Sequence, residues 1–362
     1  ALDNITSPDW TVLIGEGVYD GGVVIPEALE GLKLTGAGMD VTIVESLDLE
    51  TGITIEAHGV TLSDFLITGG DVGIFAHGQA ETPITGLVLE RLVLDGIENP
   101  TIQCSHCYHG DGGEDGGCTS DGANKQCFFS DTIGIDLAYT QGAQVSLVTF
   151  SSIEGARAPG TSFWYFLSGR PAIGLQVSDS TGLTVSANQI TGPLKGGFGQ
   201  KKQNNRSAPS GASIGMLFRN VQDSLVSGNL IADLTGTVGK SAGSTSWGAA
   251  WPANGGDVIG VLIEGDSEGL VLTGNTSQNL EGGAGGAGYN GITGGVAIGV
   301  KMQTGAQGAT LSSTGLRSPE EVVELWTSPD GDWTMVIAYA SGTSCIVAMG
   351  EHWSVLAPQD PA

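Results

Sequence analysis

Basic residues are scarce in this sequence: 13 Lys and Arg stand against 39 Asp and Glu in 362 residues, for a formal net charge of −26. A chain so short of positive charge lacks the electrostatic footprint that nucleic acid requires, and nucleic acid is excluded as a partner. Long apolar runs are missing too, so no stretch reads as a transmembrane segment. Charged residues make up only 14% of the chain while hydrophobic residues reach 40%, which excludes an acidic disordered tail and leaves material for a core. What is abundant is glycine, with 60 residues. These follow no strict three-residue period, so collagen is excluded as well.

The glycines instead mark a repeat. An apolar-Gly-apolar pattern recurs at Val72-Gly73-Ile74, Ile133-Gly134-Ile135, Ile173-Gly174-Leu175, Ile214-Gly215-Met216, Ile259-Gly260-Val261 and Ile298-Gly299-Val300. A second apolar stretch follows most of them, as in Gly182-Leu-Thr-Val-Ser-Ala-Asn188, Ser224-Leu-Val-Ser-Gly-Asn229 and Gly269-Leu-Val-Leu-Thr-Gly-Asn275. Each unit is two or three short strands of period two between turns rich in Gly, Asp and Ser. A core unit of about 22 residues cannot bury its apolar face alone, but stacked on its copies it can. The fold class expected is all-β, a solenoid. Asn188, Asn229 and Asn275 fall at one phase of the repeat and suit a hydrogen-bonded column inside a bend.

The opening segment sharpens this. Asp9-Trp-Thr-Val-Leu-Ile-Gly-Glu-Gly-Val-Tyr19, then Val24-Ile-Pro26 and Leu32-Lys-Leu-Thr-Gly-Ala-Gly38, resemble the first coils of the pectin-lyase-like superfamily. That superfamily includes pectate lyases, pectin methylesterases and uncharacterised surface proteins. The resemblance covers residues 8 to about 315 and implies a right-handed parallel β-helix. It implies little about activity, because one fold hosts many functions.

Successive motif glycines lie 61, 40, 41, 45 and 39 residues apart, more than a coil requires. The excess falls at one phase, 97–131, 156–171, 193–212, 234–257 and 280–296, and so should emerge as long loops on one face. Charge follows the same division: residues 1–100 are net −15, 101–250 net −1 and 251–362 net −10. Eight basic residues sit in the expected loops, with aromatics among them. Trp164, Tyr165, Arg170, Lys195, Phe198, Trp247, Trp251 and Tyr289 are the candidate ligand- or partner-binding residues, suited to an anionic polysaccharide or to the acidic surface of another subunit. The alternative is that the aromatics pin the loops to the wall and the bases offset the acid. The six motif glycines are expected to form an outward stripe, since their apolar neighbours are taken to point inward.

Cys104, Cys107, Cys118 and Cys127 cluster in the first long loop and read as two disulfides, hence an oxidising compartment; zinc is the alternative, with His106 and His109 nearby. Cys345 is left over. The opening Ala1-Leu-Asp-Asn suits a mature chain cut after a small residue. Asp111, Glu114, Asp115 and Asp121 are oxygen donors of the kind that Ca²⁺ takes, against the reading of a solvated turn; no cofactor is otherwise called for. Gly282–Gly291 reads as a flexible or closely packed glycine loop, with no Lys-Ser/Thr to make it a phosphate loop.

For catalysis, the outward row beside the motif glycines is Phe75, Asp136, Gln176, Leu217, Leu262 and Lys301, with no carboxylate cluster and no Arg/Lys pair. The catalytic candidates are loop bases, Arg157, Lys201, Lys202 and Arg206, whose alternative role is solvated loop charge. Beyond 315 the pattern changes. Val322–Trp326, Trp333–Tyr339 and Ser344–Met349, separated by turns, predict a three-stranded antiparallel meander in a 316–362 unit that caps the solenoid or mediates attachment. It resembles small exported domains of Gram-negative bacteria. The expected function is a secreted or cell-surface, bacterial-type β-helix with a structural, adhesive or assembly role. Its expected partner is itself, another surface protein or a polysaccharide. The alternatives are a lyase- or esterase-type enzyme on an acidic polysaccharide, and a carbohydrate-binding protein without turnover.

Overall fold

No described strand of the solenoid exceeds nine residues, so each gains its stability from the coils above and below rather than from its own hydrogen bonds. A computed structural model describes residues 9–46, 51–98, 130–156, 168–199, 209–239, 253–286, 294–303, 310–318, 321–327, 333–339 and 344–350. These contain no α-helix and one 3₁₀ turn, Glu27–Leu29. They form a parallel β-helix closed by an antiparallel meander.

One wall is an eight-stranded parallel sheet whose later members are seven-residue strands: Thr132–Ala138, Ala172–Ser178, Ser213–Arg219, Val258–Glu264 and Ala297–Gln303, with Val72–His77 before them. The opposite wall is built from shorter strands, such as Gln144–Ser146, Thr184–Ser186 and Leu225–Ser227, stacked in parallel register. A three-stranded sheet, Ile97–Glu98, Ile153–Glu154 and Leu194–Lys195, completes the circuit. Between the walls runs one continuous core, including Phe65, Leu92, Phe150, Leu175, Phe218 and Ile231, each at most 1% exposed. Burying each such side chain contributes about 2 kcal/mol, repeated on every coil.

The Asn column lies in the bend of the short-strand wall. Asn229 Oδ1 accepts from both the backbone N–H and the Nδ2 of Asn188, at 2.9 Å each, and Asn275 Oδ1 plays the same part for Asn229. The remaining amide protons go to Val145 O, Val185 O and Val226 O. Asn188 and Asn229 are buried at 0% and 2% exposure, so the column satisfies backbone groups that water cannot reach.

The glycine stripe points inward, not outward. A Cβ on Gly134 would lie 2.6 Å from Gly174 O and 2.8 Å from Phe150 Cδ1, and one on Gly73 2.6 Å from Leu94 Cδ2. Period-two alternation fails at this position. Ile135 joins the main core, while Ile133 joins a second cluster with Ile173, Ile214, Leu217, Ile259 and Leu262 on the other side of the sheet. The chain kinks at the glycine, so Gly134 and Ile135 both face the core, and only glycine leaves room for the neighbouring coil's carbonyl.

The inserted loops leave and return next to the three-stranded sheet, and their described legs bond to one another. Arg170 N–H donates to Ala156 O, Gly197 to Arg170 O and Gly211 to Gly197 O; further along, Gly256 donates to Thr237 O, Gly283 to Gly256 O and Gly295 to Gly283 O. The Thr237 hydroxyl donates to Gly196 O and ties the two groups together. A Cβ at Gly197 would fall within the carbonyl of Ala156, and one at Gly283 within that of Thr237. The loop glycines described are thus a close-packed layer of extended backbone.

The C-terminal meander has four strands rather than three, because Thr310–Ser318 precedes Glu321–Thr327, Trp333–Tyr339 and Ser344–Gly350. Its last strand runs antiparallel to Thr276–Gln278, through Ser277 and Ser344. That contact covers an edge the last coil would otherwise leave open. Cys345 stands opposite Ile337 in the meander.

Candidate functional site

The outer face of the long-strand sheet carries two columns of side chains in register. One runs Phe75, Asp136, Gln176, Leu217, Leu262 and Lys301; the other runs His77, Ala138, Ser178, Arg219 and Glu264. The first column was read correctly as outward, but its neighbour supplies what it lacks. His77 Nε2 lies 3.1 Å from Asp136 Oδ2, and Gln176 Nε2 donates to Asp136 Oδ1 at 3.0 Å. Asp136 is 6% exposed, so both oxygens are engaged on a carboxylate shut off from water. Phe75 lies against the imidazole, ring centroids 3.8 Å apart, and fixes its plane. The His77 side chain is 33% exposed, and its Nδ1 has no partner among the described residues. An imidazole oriented by a buried carboxylate in this way can take up or release a proton.

A further acid, Asp131, lies within electrostatic reach of Asp136 and of two guanidinium groups. Arg219 Nε and Nη2 both donate to Glu264 Oε2, at 3.0 and 2.7 Å. Arg170, half-buried on a returning loop leg, makes no ion pair and no hydrogen bond from its guanidinium among the described residues. Asp131 stands one coil before it at the entry to the strand Thr132–Ala138. Burial holds the Asp131 carboxyl above the usual range, against the pull of Arg170 and Arg219, and the Asp136 charge pushes it the same way as burial. A carboxyl raised on folding favours the folded state below its unfolded-state pKa, and that advantage is lost as pH rises through the folded value. Asp131→Asn is therefore expected to raise the melting temperature at neutral pH and to leave it unchanged near pH 3. Thermal melts at both pH values measure this, and a lower neutral-pH melting temperature would contradict it.

Of the partner-binding residues expected from sequence, Arg170, Lys195 and Phe198 are brought together. Gly197, between the last two in the chain, donates to Arg170 O, while Lys195 O accepts from Gly155. Lys195 is exposed and Phe198 half-buried. Trp164, Tyr165, Trp247, Trp251 and Tyr289 lie outside the described residues, as do the catalytic candidates Arg157, Lys201, Lys202 and Arg206. So do Cys104, Cys107, Cys118 and Cys127 and the Ca²⁺ candidates Asp111, Glu114, Asp115 and Asp121. Among the described residues, no three His, Cys, Asp or Glu side chains are grouped to hold a metal ion. None of their helices is long and apolar enough to cross a membrane. His77, Asp131 and Arg219 escaped the reading of sequence. Following the column four residues after each motif glycine, as well as the one two residues after, would have found His77 and Arg219.

No protein-family model matches this sequence, and no curated protein matches it. Among solved structures, it is similar to a PL6 alginate lyase in complex with a trisaccharide: 8% identity over 91% of this chain and 87% of that one, TM-score 0.28. It is similar also to the A-module of the Azotobacter vinelandii mannuronan C-5 epimerase AlgE6, with 12% identity, 82% and 91% coverage and a TM-score of 0.24. A pectin methylesterase from Yersinia enterocolitica gives 11% identity, 82% and 90% coverage and 0.24. These likenesses are of fold alone, that of the parallel β-helix.

Proposed function

We propose that this chain is a secreted or cell-surface β-helix protein that holds an acidic polysaccharide against the outer face of its long-strand sheet, in an adhesive or structural role. The observation that carries this reading is the guanidinium of Arg170, which makes no ion pair or hydrogen bond among the described residues and which, like that of Arg219, lies within electrostatic reach of Asp131. An Arg fork with no direct bond to a protein carboxylate among the described residues is matched to a carboxylate or sulfate from outside. The position suits an anion, because residues 101–250 are net −1 in a chain of net −26. Half-buried Phe198 provides surface for the face of a sugar ring. The bonded glycine layer holds the loop legs that present Arg170 and Phe198.

Calorimetric titration with polyuronates at physiological salt tests the reading. Binding is expected, and Arg170→Ala should weaken it about tenfold, the equivalent of about 1.4 kcal/mol. Unchanged affinity in Arg170→Ala would remove the assignment. One observation favours a second reading, lyase or esterase turnover of the same polymer: the oriented His77 imidazole with its open Nδ1. Under the binding reading the titrated polymer is recovered at its original size and degree of esterification. Unsaturated or de-esterified products that disappear with His77→Ala would replace the binding reading with turnover.

A further inference from the structure

We infer that the N-terminal end of the solenoid is a docking edge for a partner that presents an extended, cationic strand. Among the described residues Thr11–Ile14 pairs only with Lys33–Gly36, Gly17–Asp20 only with Thr42–Ser46, and Val23–Ile25 only with Ile53–Ile55, so each of the three is an edge strand there. The direction of the free groups follows from the bonds that are made. Trp10 O accepts from Lys33 N–H, Gly17 N–H donates to Val41 O, and Val23 N–H donates to Gly52 O. Backbone groups alternate sides along a strand, so those of Thr11, Leu13, Val18 and Val24 face away from the solenoid.

The same positions are apolar and exposed: Leu13 77%, Val18 62% and Val24 48%. Trp10 and Tyr19, at 47% and 39%, extend the patch. An edge with free backbone groups and apolar side chains is a template for strand addition. The opposite end differs, since the last coil is covered by the strand Ser344–Gly350.

Charge selects the partner. Between residues 9 and 46 the chain carries Asp9, Glu16, Asp20, Glu27, Glu30, Asp40 and Glu45 against Lys33 alone. Two copies meeting edge to edge would bring these carboxylates together, and charged edges are a known means by which sheet proteins block self-pairing. A strand alternating Lys or Arg with apolar residues meets the opposite situation on the wall that holds Thr11–Ile14 and Gly17–Asp20: its backbone completes the ladder, its apolar residues cover Leu13 and Val18, and its cations face the acids.

The test is fluorescence anisotropy of a labelled octapeptide alternating Lys and Val, titrated with the full chain. Saturable binding is expected, weakening as salt rises, with no binding of the Glu–Val counterpart. Leu13→Pro removes a free edge N–H while sparing the bonds to Lys33–Gly36, and should weaken binding about tenfold at an unchanged melting temperature. If that variant does not fold, Leu13→Lys provides the repulsive equivalent and should weaken binding as well. Equal binding of a Lys–Gly peptide, which has charge without apolar residues, would overturn the strand assignment. So would absent binding of the Lys–Val peptide, or variants that bind as tightly as the parent chain. A concentration-dependent dimer in light scattering that competes with the peptide would assign the edge to a second copy and also overturn the proposal.

Discussion

Asn229→Leu is expected to lower the stability of the solenoid by about 4 kcal/mol, more than any other single change considered for this chain. The side chain makes four hydrogen bonds, to Asn188 N, Asn188 Nδ2, Val185 O and Asn275 Oδ1, at 2.8–3.0 Å. Leucine preserves the volume but abandons all four partners. Asn188 is fully buried, so water cannot replace what is lost there, and an orphaned buried group costs about 1–3 kcal/mol. Asn275 sits at the last rung and is half-buried, so Asn275→Leu should cost about half as much. Denaturant unfolding of the two variants measures the difference. An Asn229→Leu chain within about 1 kcal/mol of the parent would mean that the column is a passenger of the packing.

Gly134→Ala should cost about 3 kcal/mol, the upper end of the range for forcing a methyl group into a filled core. The new carbon would meet Gly174 O at 2.6 Å and the buried Phe150 ring at 2.8 and 2.9 Å. Neither can yield cheaply: the carbonyl belongs to the next coil, which has its own glycine against the coil after it, and Phe150 is 1% exposed. Gly315→Ala is the matched control, because a Cβ there meets nothing within 4 Å and the residue is exposed. It should leave the unfolding midpoint unchanged. Equal effects at the two sites would contradict an inward-facing glycine column.

The coils and the Asn column were legible in sequence for one physical reason. Each depends on a residue type recurring at a fixed phase, and stacking in register turns phase into position. The direction of the glycine column was not legible, because alternation was carried across Gly134 as though the strand were straight, and the kink at that residue leaves no mark in the apolar pattern. The His77–Asp136 pair was hidden differently. The two residues are 59 positions apart, and only the pairing of Ile133 with Val72 across the long first insertion brings them to adjacent strands. Arg170 was singled out as a loop base, yet its neighbour Asp131 was not, since nothing local distinguishes one acid among 39. The loop glycines were read as flexible or packed, and the hydrogen bonds among Gly197, Gly211, Gly256, Gly283 and Gly295 decide for packed.

The most direct test of the proposed function is where an acidic polysaccharide touches the chain. The Nε–Hε signals of the arginines, followed by NMR during titration with a polyuronate, report this residue by residue. Arg91 is the internal reference. Its guanidinium is already bonded to Asp64 at 2.7 and 2.9 Å and to Glu90 at 2.8 Å, on the wall opposite the long-strand sheet. The binding account predicts that the Arg170 signal moves most, that Arg219 moves with it, and that Arg91 stays in place. Saturable binding with Arg170 unmoved, or with Arg91 moving as much, would contradict it.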